Sequence, residues 1–214
     1  MGALSPFTVE QWGMVTAAQA RAAGVSRVDV ARLAGDGVLE PVAARVYRLA
    51  GAPPDPDRDG VRAVWLQMGD ERVGSSRLRA PDAVVAGRSA ALLLGVGDLA
   101  ARVHDFYVTR RRQLRRADVR LRVRARLPRG DWQVVEGLPV CTAARVVADL
   151  LSDREDASAV ARACLDAVAA GILDPADLTA LVAPHARAYG ATSAQTLAAH
   201  LLGEGPGRDT RRVG

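Results

Sequence analysis

The sequence predicts an α+β protein in which a small N-terminal unit of short helices and one strand hairpin precedes a mixed sheet packed with helices. Capping residues and glycines delimit two short helices between Thr16 and Gly37. Three later stretches have the alternation and β-branched content of strands, at 103–109, 118–126 and 132–142. From Thr142 onward the apolar spacing is helical, at about 143–151, 156–170, 174–183 and 192–202.

Length and composition fit one or two globular domains. The chain has 214 residues, of which 49% are hydrophobic and 25% charged, a balance typical of folded proteins. The stretch GAPPDPD contains three prolines and indicates a connector. We therefore expect a domain at 1–50, a linker at 51–57, a second domain at 58–202 and a flexible tail at 203–214.

Local signals define the helices of the N-terminal unit. Thr8 is expected to cap a first short helix. Thr16 followed by Gln19 has the spacing of a capping box and opens a second helix. Ser26 with Asp29 is a similar pair that opens a third.

A strand hairpin at 38–49 directly after the third helix is the layout of a winged helix-turn-helix. In such a unit the third helix turns an apolar face inward, here Val25, Val30 and Leu33, and a polar face outward. The alternative is a helical hairpin that only packs a core and leaves its arginines in solvent.

The winged interpretation predicts contacts with double-stranded DNA. A helix N-terminus favours anions, so Ser26 and Arg27 are expected to meet phosphates, together with Arg45 and Arg48 of the hairpin. Base edges are expected to be read from the third helix, by Arg27, Val28 and Arg32. The full candidate DNA-binding set is Thr16, Ser26, Arg27, Val28, Asp29, Arg32, Arg45 and Arg48.

Positive charge is concentrated in one part of the chain. All 29 basic residues are arginine, the net charge is +5, and residues 102–129 hold eleven arginines against two acids. The alternation at 119–126 puts four arginines on one side of a strand, where they form either a solvated edge or a binding surface for DNA or an acidic protein. The candidate patch is Arg110, Arg111, Arg112, Arg115, Arg116, Arg120, Arg122, Arg124 and Arg126.

Several function classes are excluded or disfavoured by the residues present. Without lysine there is no phosphate-loop lysine, no Schiff base and no nuclease site that needs a lysine beside its acids. Cys141 and Cys164 have no metal-binding spacing, and the histidines are dispersed. We expect no catalytic activity, no cofactor and no metal. No apolar run is long enough to span a membrane, and a cytoplasmic location is expected.

The stretch MVTAAQARAAGVSRVDVARLAGDGVLEPVAARVYRLAG, residues 14–51, resembles the winged-helix domain of AbiEi-type antitoxins. The stretches RSAALLLGVGDL, VHDFYVTRRRQLRRADVRLRV and VVEGLPVCTAARVVADLL are similar to the linked C-terminal region of that family. One departure lies at the hairpin turn, where the family has Arg-Gly and this chain has Ala44-Arg45. The matching positions are Val15, Thr16, Gln19, Ala20, Gly24, Val25, Ser26, Arg27, Leu33, Gly37, Leu39, Val46, Tyr47 and Leu49.

The resemblance implies an antitoxin that binds inverted repeats in its own promoter and counteracts a nucleotidyltransferase-like toxin. Two alternatives stay open. One is a stand-alone winged-helix transcriptional regulator without a toxin. The other is a DNA-binding domain fused to a nuclease-like domain, which the missing lysine disfavours.

Overall fold

The computed structural model describes residues 2–114 and 116–203, which form a mixture of helices and strands, as the sequence predicts. Arg115 and residues 204–214, which include most of the expected tail, lie outside the described residues. The α-helices are α1 (Ser5–Glu10), α2 (Ala17–Ala22), α3 (Arg27–Gly35), α4 (Asp59–Gln67), α5 (Gly87–Leu94), α6 (Ala143–Ser152), α7 (Ala157–Ala169), α8 (Pro175–Val182) and α9 (Ala194–Leu201). The strands are β1 (Met14–Thr16), β2 (Leu39–Ala43), β3 (Val46–Leu49), β4 (Ala83–Val85), β5 (His104–Val108), β6 (Val119–Val123), β7 (Trp132–Val135) and β8 (Leu138–Cys141).

Contacts along the chain separate two compact units. Of the described residues, those within 1–85 and 102–140 form the first unit, and those within 86–101 and 141–214 form the second. The proline-rich stretch at 51–57, which the sequence predicts to be a linker, therefore lies inside the first unit. Both sheets also belong to the first unit.

The smaller sheet of the first unit has three antiparallel strands in the order β1-β3-β2. β1 is not predicted from the sequence, because three residues are too few to show alternation. It pairs through Val15 with Tyr47 of β3. The core beneath α1, α2 and α3 consists of Leu4, Val15, Ala20, Val30 and Leu39.

Both predicted capping boxes are confirmed. The Thr16 hydroxyl accepts from the backbone N–H of Gln19, and Ser26 does the same for Asp29. The expectation for Thr8 is wrong, because α1 begins earlier, at Ser5, with a proline in its first turn. Thr8 lies within α1, and its hydroxyl donates back to the Leu4 carbonyl.

The larger sheet has five strands in the order β6-β5-β4-β8-β7. β4 is antiparallel to β5, whereas β5 and β6 are parallel and pair through Phe106 and Leu121. The apolar residues of 83–94 have a spacing that would suit one helix, but the first three of them form a strand. Ala83 to Val85 are fully buried between β5 and β8, where a β-branched pair suits a strand. A helix then starts at Gly87.

A buried amide pair joins the first helices to the rest of the first unit. Gln11 and Gln19 are 0% and 2% exposed, and each donates its side-chain N–H to the other's oxygen, at 3.0 and 2.8 Å. Gln11 also accepts from the Gly74 backbone N–H at 2.7 Å, and Gln19 donates to the Arg72 carbonyl at 2.9 Å. All these polar groups are therefore satisfied without water.

The second unit is helical, and α6 to α9 agree with the predicted positions. Its apolar core includes Leu150 of α6, Cys164 of α7 and Leu201 of α9. Arg88 and Glu155 form a two-pronged ion pair with both contacts at 2.6 Å. No helix among the described residues has both the length and the apolar character needed to cross a membrane.

Candidate nucleic-acid interface

The N-terminal end of α3 presents a small exposed surface. Ser26 caps the helix and bonds Asp29 through its hydroxyl at 2.6 Å. That hydrogen bond is the main reason why the pKa of Asp29 lies below its usual value. Arg27 is exposed, and Val28 is 77% exposed, although it is apolar. An exposed valine on a polar face is a surface available to an apolar group such as a thymine methyl.

The charges along α3 balance. Arg32 lies 3.8 Å from Asp29 and 3.7 Å from Asp36, and all three side chains are about half exposed or more. With Arg27, the segment 26–37 carries two cations and two anions. The α3 segment therefore has little net electrostatic attraction for a polyanion.

Two residues of the predicted DNA-binding set lie in the interior of the first unit. Thr16 is 6% exposed, and its hydroxyl caps α2. The Arg48 side chain is 13% exposed and contacts Asp59 at 2.6 Å and Glu40 at 3.2 Å. Because α4 places Asp59 beside β3, Arg48 neutralises an internal carboxylate. We therefore remove Thr16 and Arg48 from the set of candidate contacts.

The turn of the β2–β3 hairpin is formed by Ala44 and Arg45. Arg45 has a φ of +64°, in the left-handed region where glycine is favoured. Its side chain is exposed, and its carbonyl accepts from the backbone N–H of Ala17 at the start of α2. An arginine thus occupies a strained position at the tip of the hairpin.

Gln67, the last residue of α4, joins the hairpin turn to the arginine-rich loop at 109–118. Its side-chain N–H donates to the Ala44 carbonyl at 2.6 Å, and its oxygen accepts from Arg116 at 3.1 Å. Arg116 is held from its other side by Asp118. One cleft of about 530 Å³ is surrounded by the start of α2, the hairpin turn and the arginine-rich loop. Its lining includes Ala17, Arg45 and Arg116.

The predicted row of four arginines along one strand is wrong in two respects. β6 ends at Val123, so Arg124 and Arg126 lie beyond it. Arg120 and Arg122 both approach Asp105, which is 1% exposed, and Arg120 pairs with it through two nitrogens. A buried acid from β5 therefore lies beside the row. The sequence does not show this proximity, because Asp105 is 15 positions away from Arg120.

Other arginines of the patch are also engaged within the first unit. Arg112 contacts Asp82 and the Met68 carbonyl and is 15% exposed. The Arg124 guanidinium lies 4.3 Å from the centre of the Tyr107 ring. Among the described residues of the patch, which do not include Arg115, three arginines are exposed and have no ion pair. These exposed arginines are Arg110, Arg111 and Arg126.

Both cysteines and the carboxylate of Asp149 lie in the interior. In the described ranges no cluster of three or more His, Cys, Asp or Glu side chains is placed to hold a metal ion. Cys141 and Cys164 are buried, and burial raises the pKa of the Cys164 thiol to about 12. Asp149 is 1% exposed and paired with Arg145 one helical turn away. These groups have structural contacts.

Comparison with known proteins gives a likeness of fold. No family model matches the chain, and no curated protein matches it. Among solved structures, the chain is similar to the RV2827C protein from Mycobacterium tuberculosis, with a TM-score of 0.50 and 15% sequence identity. The match covers 95% of this chain and 77% of that one. At this identity the similarity concerns the fold alone.

Proposed function

We propose that the chain binds double-stranded DNA as a winged helix-turn-helix protein, with α3 in the major groove and the β2–β3 hairpin as the wing. The observation that carries the proposal is the cleft in which the hairpin turn, the start of α2 and the arginine-rich loop meet, with Gln67 bonded to both Ala44 and Arg116. A helix-turn-helix places its recognition helix in the groove while flanking elements hold the phosphates.

The contacts divide into two classes. Arg27, Val28 and Arg32 on α3 supply base reading, because they are exposed and point away from the core. Ser26 and Asp29 order the first turn of α3. Phosphate contacts come from Arg45 on the turn and from the exposed arginines of the loop, Arg110 and Arg111. Since α3 is electrically balanced, most of the affinity is assigned to the second class.

Binding is tested by fluorescence anisotropy on the DNA upstream of the gene, over a salt series. The logarithm of the binding constant should fall against the logarithm of salt with a slope of about −0.9 per phosphate neutralised. Arg27→Ala should reduce the preference for that DNA over an unrelated duplex by about tenfold, equivalent to about 1.4 kcal/mol. The matched control is Arg162→Ala, an exposed arginine on α7. If Arg27→Ala prefers this DNA over the unrelated duplex as strongly as the natural chain does, α3 is not the helix that reads the bases.

We propose further that this DNA binding serves an antitoxin that represses its own promoter through inverted repeats. The support is the sequence resemblance to AbiEi-type antitoxins over residues 14–151. In this role the chain counteracts a nucleotidyltransferase-like toxin. Co-expression with a nucleotidyltransferase-like reading frame from the neighbouring gene tests it, and relief of growth arrest is expected. The stand-alone regulator predicts repression of the promoter without any effect on growth.

A further inference from the structure

A second cleft, of about 620 Å³, lies at one end of the five-stranded sheet. β5 and β6 end here at Val108 and Val123, and β4 begins here at Ala83, opposite Val108. The walls come from the segments that enter and leave these strands, at 79–82 and 125–129, and from Trp132 at the start of β7. The cleft is therefore lined mainly by the segments that adjoin the ends of these strands.

Positive charge dominates this cleft. Arg79, Arg126 and Arg129 line it, and all three are exposed. Asp82 is the one carboxylate among the described residues of its lining, and it is already paired with Arg77 at 3.0 Å and with Arg112. Burial would raise the pKa of Asp82, but the two guanidinium groups outweigh it and lower that pKa, so the carboxylate stays ionised and neutralised. Within the part of the chain that the structure describes, no carboxylate is paired with the three exposed guanidinium groups.

One wall of the cleft is apolar and stiff. Pro81 is buried, Leu127 is half-buried, and Pro128 follows it, so two prolines restrict the backbone on either side. The Arg129 guanidinium lies 4.1 Å from the centre of the Trp132 ring, which fixes the direction of that cation. A stiff apolar wall beside three exposed guanidinium groups, one of them oriented by Trp132, fits a ligand that has both an apolar face and clustered negative charge.

We propose that this cleft binds the phosphates of a nucleotide, with the sugar or base against the Pro81, Leu127 and Pro128 wall. Guanidinium groups bind phosphate oxygens through paired hydrogen bonds, and the volume is within the range of about 300–1,000 Å³ usual for small-molecule sites. The phosphate comes from a free nucleotide or from the backbone of bound nucleic acid. The assignment does not rest on DNA reading by α3, since none of these residues belongs to α3 or the hairpin turn.

Isothermal titration of the full chain with ATP at low salt tests the free nucleotide. The cleft variant is Arg79→Ala with Arg126→Ala, which leaves Arg129 on Trp132. The control is Arg162→Ala with Arg187→Ala, the same loss of charge from exposed positions of the second unit. ATP should bind the natural chain, and the dissociation constant should rise at least about tenfold in the cleft variant and less than about twofold in the control.

The second arm measures DNA binding of the same variants over a salt series. One outcome is that ATP gives no heat of binding, while the salt slope of DNA binding becomes less steep in the cleft variant alone, by about 0.9 for each lost phosphate contact. The phosphate is then that of the DNA backbone. The proposal is overturned if ATP binds the cleft variant as tightly as the natural chain, or if neither ATP binding nor the slope depends on the cleft. Arg27→Ala tests α3 separately, so failure of the cleft and failure of DNA reading give different results.

Discussion

The indole N–H of Trp12 donates a hydrogen bond of 2.9 Å to the backbone carbonyl oxygen of Glu136, a residue 124 positions away. Both residues have a left-handed backbone, with φ of +56° and +47°. Arg62 adds to this junction, because it stacks over the Trp12 ring and pairs with the Glu136 carboxylate at 3.0 Å. The N-terminal helices are thus bonded to the turn between β7 and β8.

A first prediction concerns the independence of the N-terminal region. A fragment of residues 1–50 should not fold alone, because Trp12, Gln11 and Arg48 each lose a partner that lies outside it. Circular dichroism of the fragment should show little helix at 25 °C, whereas the full chain unfolds cooperatively. A cooperative transition in the isolated fragment would instead support a separate domain with a linker at 51–57.

A second prediction uses the strain at the hairpin turn. Arg45→Gly removes the left-handed penalty of about 1–2 kcal/mol, and the flexible glycine costs about 0.5–1 kcal/mol in the unfolded chain. The free energy of unfolding should therefore stay the same or rise. The DNA affinity should fall, and the salt slope should become less steep by about 0.9, the value for one phosphate contact. Denaturant unfolding and anisotropy measure the two effects. Loss of both stability and affinity would mean that the arginine side chain holds the turn together.

A third prediction concerns Gln67 as a positioning residue between turn and loop. Gln67→Leu keeps the size but removes the bonds to Ala44 and Arg116. DNA affinity should fall about three- to tenfold with an unchanged salt slope, since no phosphate contact is deleted. A changed salt slope would contradict the role of Gln67 in orienting the hairpin turn and the loop. Gln113→Leu, an exposed position lining the same cleft, is the control.

A fourth prediction tests Asp105, the buried acid of β5 that pairs with the arginines of β6. Asp105→Asn leaves Arg120 and Arg122 facing a neutral side chain, and the free energy of unfolding should fall by about 2 kcal/mol. This is less than for a fully buried pair because Arg120 is 46% exposed. The control is Asp118→Asn, an exposed carboxylate, for which a loss under about 1 kcal/mol is expected. Urea unfolding measures the free energy of unfolding of both variants. Equal losses of stability in the two would contradict the role assigned to the burial of Asp105.

A fifth prediction is a pH dependence. The hydrogen bond from Arg116 lowers the pKa of Asp118 to about 2, against 3.8 for the free group. A lowered folded-state pKa means that this pair stabilises the protein above pH 3.8 and that its contribution is lost as the pH falls towards 2. An NMR titration of the carboxyl carbon should give this low value in the natural chain. In Arg116→Gln it should return towards 3.8, and no difference between the two chains would exclude Arg116 as the cause.

Local features of the fold were predictable from the sequence. The capping boxes at Thr16 and Ser26 and the strand at β5 follow from signals within a few residues of each other. The helices after Thr142 follow from apolar spacing. β4 was not predictable in this way, because its strand character comes from burial between β5 and β8.

The candidate interface was predictable only in part. Exposure of Arg27 and Val28 follows from the helical periodicity of α3. The engagement of Arg48 by Asp59 and of Arg120 by Asp105 does not, because each acid comes from another element of the fold. A count of arginines along the chain therefore overstates the charge that is available at the surface.

The reciprocal bonding of Gln11 and Gln19 constrains how this chain can change over time. Replacing either amide alone leaves the other with buried, unsatisfied groups, at a cost of about 1–3 kcal/mol. A compatible pair of apolar residues would remove both amides together, but the Gly74 N–H and the Arg72 carbonyl would then need new partners. The two positions are thus expected to be inherited as a unit, each keeping its glutamine for as long as the other does.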